Sequence, residues 1–128
     1  MKKQLDQVAE FQGSFGLFIG DSPSMPPDKG LLLLRQRLIM EEAFEVSDEL
    51  VDGESIEGTA KELADLVYVT LGTVLTLGLQ DQFERCFDEV HRSNMSKLDE
   101  NGKPIYREDG KVLKSKLYTP ADLSFLKQ

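Results

Sequence analysis

The sequence predicts an all-α fold of four or five helices, followed by a short irregular or hairpin segment at the C-terminus. Apolar residues recur at three- and four-residue spacing over most of the first 97 residues, which is the period of amphipathic helices. Pro and Gly residues separate these stretches and would end helices there. After residue 97 the pattern changes to two turn signals, Asn101-Gly102 and Asp109-Gly110, among short apolar pairs.

Length and composition fit one soluble globular domain over residues 1–128. The formal net charge of -8 disfavours a nucleic-acid polymer as the main partner. No apolar run approaches the about 20 residues that span a membrane, so we expect no membrane partner. The start of the chain lacks the apolar core of a signal peptide, and the single cysteine, Cys86, excludes an internal disulfide. These features predict a cytoplasmic protein.

The first predicted helix covers residues 3–18, with Leu5 and four further apolar residues on one side. Gly13 and Gly16 weaken its second half, so it is expected to stop early. Gly20–Gly30 contains three prolines and must be a loop. A connection of this length is either a functional loop or a plain surface link, and the sequence leaves both readings open.

Three further helices are predicted. The second runs from Leu31 to Asp52 because the 3.6-residue period continues through Leu50, and Gly53 ends it. The third begins after Ser55, a good N-cap, and runs to Leu77 before Gly78. The fourth covers Asp81–Lys97.

The C-terminal third is expected to be less regular. Ile105-Tyr106 and Val112-Leu113 flank Asp109-Gly110, which favours a short β-hairpin with its turn at that dipeptide. Residues 117–126 are expected to be extended or irregular.

Two acidic clusters lie on helix faces that otherwise point to the core. On the second helix, one face carries Leu31, Leu34, Leu38, Glu42, Glu45 and Glu49. On the third, Glu62 shares a face with Leu66, Val69 and Thr73, and Asp65 lies at its edge. Carboxylates at such positions are costly to bury unless something neutralises them.

A hard divalent cation would neutralise these acids, because Mg²⁺ and Mn²⁺ prefer carboxylate and water oxygens. No His or Cys accompanies them, which disfavours zinc, and their position on helices excludes an EF-hand. A solvated acidic face is the alternative, but the number of acids in two short clusters favours a metal site. The single histidine, His91, is expected to have a helix-surface or packing role.

Positive charge concentrates in the C-terminal third of this acidic chain, where it could meet phosphate groups. The lysines concerned are Lys97, Lys103, Lys111, Lys114 and Lys116. On the second helix, Arg35 is expected to pair with a carboxylate or a phosphate.

The segment Glu41-Glu42-Ala43-Phe44-Glu45, followed by Glu62-Leu63-Ala64-Asp65, resembles the E-E-x-x-E … E-x-x-D signature of the all-α nucleoside triphosphate pyrophosphohydrolases. This superfamily includes MazG-like proteins, dimeric dUTPases and phosphoribosyl-ATP pyrophosphohydrolase. The segment from His91 to Lys97 and that from Gly110 to Lys114 are also similar to MazG-like relatives. The resemblance therefore extends over most of residues 31–120.

The resemblance implies a MazG-like bundle completed by oligomerisation into a homodimer or homotetramer. It implies hydrolysis of a nucleoside triphosphate between the α and β phosphates, giving the monophosphate and pyrophosphate. Position by position, Glu42, Glu45, Glu62 and Asp65 would hold Mg²⁺, with Mn²⁺ as an alternative. Glu41 would support the site or orient the attacking water. Four residues would contact the substrate: Asn94, Lys97, Lys111 and Lys114.

Two other classes of function remain open on sequence alone. One is a non-catalytic, metal-stabilised helical module that binds nucleotides, and the other is a purely structural helical oligomer. The sequence does not fix which base or sugar the protein prefers. Nucleotide turnover with Mg²⁺ would separate the enzyme from both alternatives.

Overall fold

Helices form most of the chain in the computed structural model, which describes residues 1–127. The α-helices are α1 (Lys2–Ser14), α2 (Lys29–Asp52), α3 (Ile56–Thr76) and α4 (Phe83–Met95). Two short strands follow, β1 (Ile105–Tyr106) and β2 (Val112–Leu113), and then a 3₁₀ turn at Ser124–Lys127. The predicted all-α class is confirmed. None of the helices within residues 1–127 is both long enough and apolar enough to cross a membrane.

The helix ends largely follow the local sequence signals. The Ser55 hydroxyl accepts a hydrogen bond from the Gly58 N–H at 3.0 Å, which confirms it as the N-cap of α3. Helix α2 begins two residues before the predicted Leu31, because the Asp28 carboxylate caps it by accepting from the Gly30 N–H at 2.8 Å. Helix α1 stops at Ser14, as its glycines suggested, and α4 is shorter than predicted at both ends.

The loop between α1 and α2 is anchored to the C-terminal end of α3. The Gly20 N–H donates to the Leu75 carbonyl at 2.8 Å, and the Ser24 N–H donates to the Leu77 carbonyl at 3.1 Å. Gly78 adopts φ +68°, and a Cβ there would lie 2.2 Å from the Ser22 carbonyl oxygen. Only glycine permits both this backbone conformation and this close approach.

The chain divides into two compact units, of which the first spans Met1–Asp81 and the second begins at Gln82. In the first unit, α3 packs against both α1 and α2. The buried apolar side chains of this unit come from all three helices: Leu5, Val8, Val46, Leu71, Val74 and Leu75. Helix α3 is therefore the central element to which the other two attach. The single domain predicted over residues 1–128 stays a prediction.

The second unit joins α4 to the hairpin and the C-terminal segment. Strands β1 and β2 pair antiparallel, with Ile105 opposite Leu113 and Tyr106 opposite Val112, and Gly110 has φ +87° in the turn. This confirms the hairpin predicted at Asp109-Gly110. The C-terminal segment is tied to α4 because the Ser93 hydroxyl donates to the Thr119 carbonyl at 2.8 Å.

Candidate metal and substrate site

Three carboxylates from two helices meet in the first unit. Glu42 comes from α2, and Glu62 and Asp65, three residues apart on one face, come from α3. One carboxylate oxygen from each lies within 4.8 Å of the others. All three residues are half-buried. The packing of α2 against α3 thus brings one acid of the first predicted cluster and two of the second around one small volume.

Two oxygen atoms in this cluster are buried without a protein partner. Oε2 of Glu42 and Oε2 of Glu62 have no hydrogen-bond donor among the described residues. A buried polar atom left unpaired costs free energy, and the cost is larger for a charged group. These two atoms are therefore suited to accept a cation.

Glu45 adjoins the cluster from the next turn of α2 and is exposed. A hydrogen bond with Glu62 raises the pKa of the Glu45 carboxyl, and the negative charges of Glu62 and Glu42 raise it further. Repulsion between neighbouring carboxylates is the physical cause. The structure thus places Glu45 next to the three-carboxylate cluster rather than within it.

Lys61 partly neutralises the cluster and was missed by the sequence analysis. Its ammonium lies 3.0 Å from Oε1 of Glu62 and 2.8 Å from Oδ2 of Asp65. Hydrogen bonds to Asp65 and Glu62 raise the pKa of Lys61. The four-residue spacing from Lys61 to Asp65 was the available sequence signal. Among the described residues, Glu42 receives no such partner.

Glu41 and Glu49 lie outside the cluster. Glu41 is exposed and lines a separate shallow hollow with Leu33, Gln36, Arg37, Met40 and Phe44. The Glu49 carboxylate lies against Gly53 in the turn before α3 and against the first turn of α3, where a Cβ on Gly58 would be 2.1 Å from its Oε1. The structure therefore does not bring Glu41 together with the other predicted acids.

A cavity of about 270 Å³ opens beside the acidic cluster within the first unit. Glu42 and Asp65 belong to its lining, together with residues from α1, α2 and α3. Two buried polar side chains, Gln12 and Arg35, also face it. Arg35 donates from Nε to the Thr73 hydroxyl at 3.1 Å and from Nη2 to the Val69 carbonyl at 2.8 Å, so its protein partners are neutral groups. Gln12 was not identified from the sequence.

The four predicted substrate-contact residues lie in the second unit. Asn94 is exposed in the last turn of α4, and Lys97 is half-buried just after it. Lys111 is exposed immediately before β2, and the Lys114 ammonium lies 4.6 Å from the centroid of the Tyr118 ring. His91 is exposed on α4, which fits the predicted surface role.

The donor set fits a hard divalent cation. The clustered ligand atoms are all carboxylate oxygens, two of which are buried without partners. Such oxygens suit Mg²⁺, Mn²⁺ or Ca²⁺ better than softer metals. The geometry therefore supports a metal site formed by α2 and α3.

The chain was compared with known protein families and with curated proteins. The family model described as phosphoribosyl-ATP pyrophosphohydrolase matches residues 8–94. The match covers more than half of the chain and includes the acidic cluster, the cavity and most of α4. The search of curated proteins found no significant match.

Proposed function

Because the chain belongs to the phosphoribosyl-ATP pyrophosphohydrolase family, whose members cleave a phosphoanhydride bond of a nucleotide, we propose that it hydrolyses a nucleoside triphosphate between the α and β phosphates. The products would be a nucleoside monophosphate and pyrophosphate. The observation that carries this proposal is the convergence of Glu42, Glu62 and Asp65, with two buried oxygens free to accept a cation.

In this proposal Glu42, Glu45, Glu62 and Asp65 hold Mg²⁺, with Mn²⁺ as the alternative. A cation held there would offset the negative charge that develops on the leaving pyrophosphate. The four carboxylates come from two helices packed directly against each other, so their backbone positions are fixed before the substrate binds. Phosphoryl-type transfer needs little else from the protein than positioning and charge.

The remaining roles concern the water and the nucleotide. Glu41 would support the site or orient the attacking water. This role is assigned from the family signature and not from the geometry, because the Glu41 side chain lies outside the acidic cluster. Asn94, Lys97, Lys111 and Lys114 would contact the nucleotide, and the three lysines would supply the positive charge that phosphates attract. We propose that the protein acts as a homodimer or homotetramer.

A product assay tests the bond that is cleaved. The full chain would be incubated with Mg²⁺ and a panel of ribo- and deoxyribonucleoside triphosphates and phosphoribosyl-ATP, scoring pyrophosphate separately from orthophosphate. We expect pyrophosphate and the matching monophosphate in equal amounts. Release of orthophosphate and a diphosphate would reject the assignment, and nucleotide binding without turnover would favour the non-catalytic binding module instead.

A further inference from the structure

The cavity beside the acidic cluster has two chemically different ends. Glu42 and Arg35 are seven residues apart on α2, and Asp65 and Gly72 are seven apart on α3. Seven residues correspond to about 10 Å along a helix, so the acids lie at one end of the cavity and Arg35 and Gly72 at the other. A nucleotide has the same linear arrangement, with its phosphates at one end and its base at the other.

Gln12 presents an unused acceptor at the end opposite the acids. The residue is only 1% exposed. Its Nε2 donates to the Phe18 carbonyl at 3.0 Å, which fixes the orientation of the amide. Its Oε1 is buried and has no partner among the described residues. An oxygen in this situation is available to accept an N–H or O–H from a ligand.

Arg35 supplies unused donors at the same place. The residue is 6% exposed, and two of its five N–H groups are engaged, by Thr73 and Val69. A Cβ on Gly72 would lie 2.3 Å from Nη2 of Arg35 and 2.7 Å from Oε1 of Gln12. The Arg35 guanidinium and the Gln12 amide therefore both lie close to the backbone of Gly72, and any side chain at position 72 would displace them.

The hydrogen-bond donors and acceptors at this end of the cavity determine which edge of a nucleobase can bind there. The buried polar groups at this end offer one acceptor and several donors, so a matching base carries one ring N–H beside at least one carbonyl oxygen. Uracil, thymine and hypoxanthine have this edge. Adenine and cytosine present an acceptor nitrogen in place of the ring N–H, and guanine adds an amino group beside it. The amino group of each base has two N–H donors, and burying a donor without an acceptor is costly.

We propose that this cavity binds the base of the substrate, and that Gln12 and Arg35 select uracil, thymine or hypoxanthine. The inference rests on the proposed function, which puts the phosphates at the acidic end. The apolar lining suits a planar ring: Phe11 and Tyr68 meet edge to face with centroids 5.7 Å apart. The cavity is close to the lower limit of the about 300–1,000 Å³ typical of ligand pockets, which suits a base rather than a whole nucleotide.

Calorimetric titration of the full chain tests the base assignment without turnover. The probes are UMP, CMP and N3-methyl-UMP, each with excess Mg²⁺. We expect UMP to bind about tenfold or more tightly than the other two, since each of them fails to supply the matching ring N–H. In Gln12→Leu, the three dissociation constants should converge to within about threefold.

Gln80→Leu is the matched control. The Gln80 amide also donates from Nε2 to a backbone carbonyl, that of Gly20, at 3.0 Å, and its Oε1 is likewise unpartnered, but it does not line this cavity. This variant should keep the preference for UMP.

Three outcomes would overturn the inference: equal affinities of the wild type for UMP, CMP and N3-methyl-UMP, undetectable UMP binding, or a loss of preference in Gln80→Leu equal to that in Gln12→Leu. If Gln12→Leu does not fold, the wild-type comparison of UMP with N3-methyl-UMP decides alone. Pyrophosphate release from the triphosphate panel is scored independently, so failure of base selection is distinguishable from failure of the proposed function.

Discussion

Glu42 is the least neutralised residue of the acidic cluster. Lys61 contacts Glu62 and Asp65, whereas the buried Oε2 of Glu42 has no partner among the described residues. The raised pKa of Glu45 reflects the same crowding of negative charge. Glu42, the residue that α2 contributes, is therefore the member of the cluster that most needs an external cation.

Substitution of Glu42 should remove most of the activity. Glu42→Gln keeps the size of the side chain and removes its charge. We expect kcat/KM for pyrophosphate release to fall about 100-fold or more, which corresponds to a loss of about 2.7 kcal/mol or more of transition-state stabilisation. Steady-state kinetics at saturating Mg²⁺ would measure the change. Glu45→Gln should show a loss of similar size.

Glu49→Gln is the control for this prediction. Glu49 lies on the same predicted face of α2 but contacts the turn before α3 rather than the acidic cluster. Its effect on kcat/KM should be mild. Comparable kcat/KM in the Glu42, Glu45 and Glu49 variants would contradict the site. Glu41→Gln should leave Mg²⁺ affinity unchanged, because Glu41 lines a different hollow.

Among the structural elements, those with strong local signals were predicted best. The continuous helical period defined α2, and the Ser55 cap and Gly78 stop defined α3 to within a residue. The start of α2 was missed because Gly30 and the nearby prolines indicated a loop, although Asp28 caps the helix. Glu42, Glu62 and Asp65 could be singled out from the sequence because each acidic segment is local, and their role as metal ligands stays a prediction.

The end of the cavity that contains Gln12 and Gly72 could not be predicted from the sequence, because it depends on tertiary packing. Gln12 lies on α1 and Gly72 on α3, and only the packing of α1 against α3 brings them together. On the sequence, Gln12 is one of several polar residues on an amphipathic helix. A glycine inside a helical pattern, such as Gly72, can mark close packing, but nothing local indicates which side chains approach it.

In the second unit, the Arg92–Glu89 ion pair within α4 forms hydrogen bonds to the C-terminal segment. The Glu89 carboxylate accepts from Arg92 at 2.8 and 2.9 Å and from the Asp122 N–H at 2.9 Å. Nη1 of Arg92 also donates to the Thr119 hydroxyl at 2.7 Å. We therefore expect Glu89→Gln to increase amide hydrogen exchange at Asp122 several-fold at pH 7, as measured by mass spectrometry. Glu84→Gln removes an α4 acid without such contacts and should leave the exchange unchanged.

The same contacts predict a dependence on pH. Hydrogen bonds from Arg92 and from Asp122 lower the pKa of Glu89 below its ordinary value of 4.5. A lowered folded-state pKa means that this stabilisation is fully present above the ordinary value and is lost as the pH falls through the folded-state pKa. Exchange at Asp122, corrected for intrinsic rates, should therefore increase only below about pH 4.5. A uniform protection factor from pH 7 down to pH 3 would contradict this role.

For the molecule as a whole, exposed apolar side chains favour assembly. Helices α2 and α3 expose several large ones: Leu33, Met40, Phe44, Leu50, Val51, Ile56, Leu63 and Val67. Three of them, Leu33, Met40 and Phe44, line one shallow hollow together. Large contiguous apolar patches are rare on monomeric proteins. We expect a homodimer or homotetramer by light scattering at micromolar concentration, and Phe44→Glu should shift it toward the monomer. A wild-type mass of 14.4 kDa, that of a single chain, would contradict this prediction.

Metal binding should also change the stability of the fold. Without a cation, Glu42, Glu45, Glu62 and Asp65 repel one another at short range, and the unfolded chain lacks this arrangement. A cation that binds the folded cluster and scarcely the unfolded chain raises the free energy of unfolding. The gain is about 2.7 kcal/mol per site at a free concentration 100 times the dissociation constant. Wild-type Tm should therefore rise with Mg²⁺ and return to its original value with chelator.

The Glu42→Gln variant separates repulsion from metal binding in the same melting experiment. Removing one negative charge relieves repulsion in the metal-free protein but weakens its hold on the cation. In chelator, the variant should melt at the same temperature as wild type or higher, and its Tm should rise less across the Mg²⁺ titration. Glu49→Gln should show the full Mg²⁺-dependent rise, because Glu49 lies outside the cluster. If wild type showed no Mg²⁺-dependent rise, or if Glu42→Gln rose equally, these carboxylates would not form a metal site.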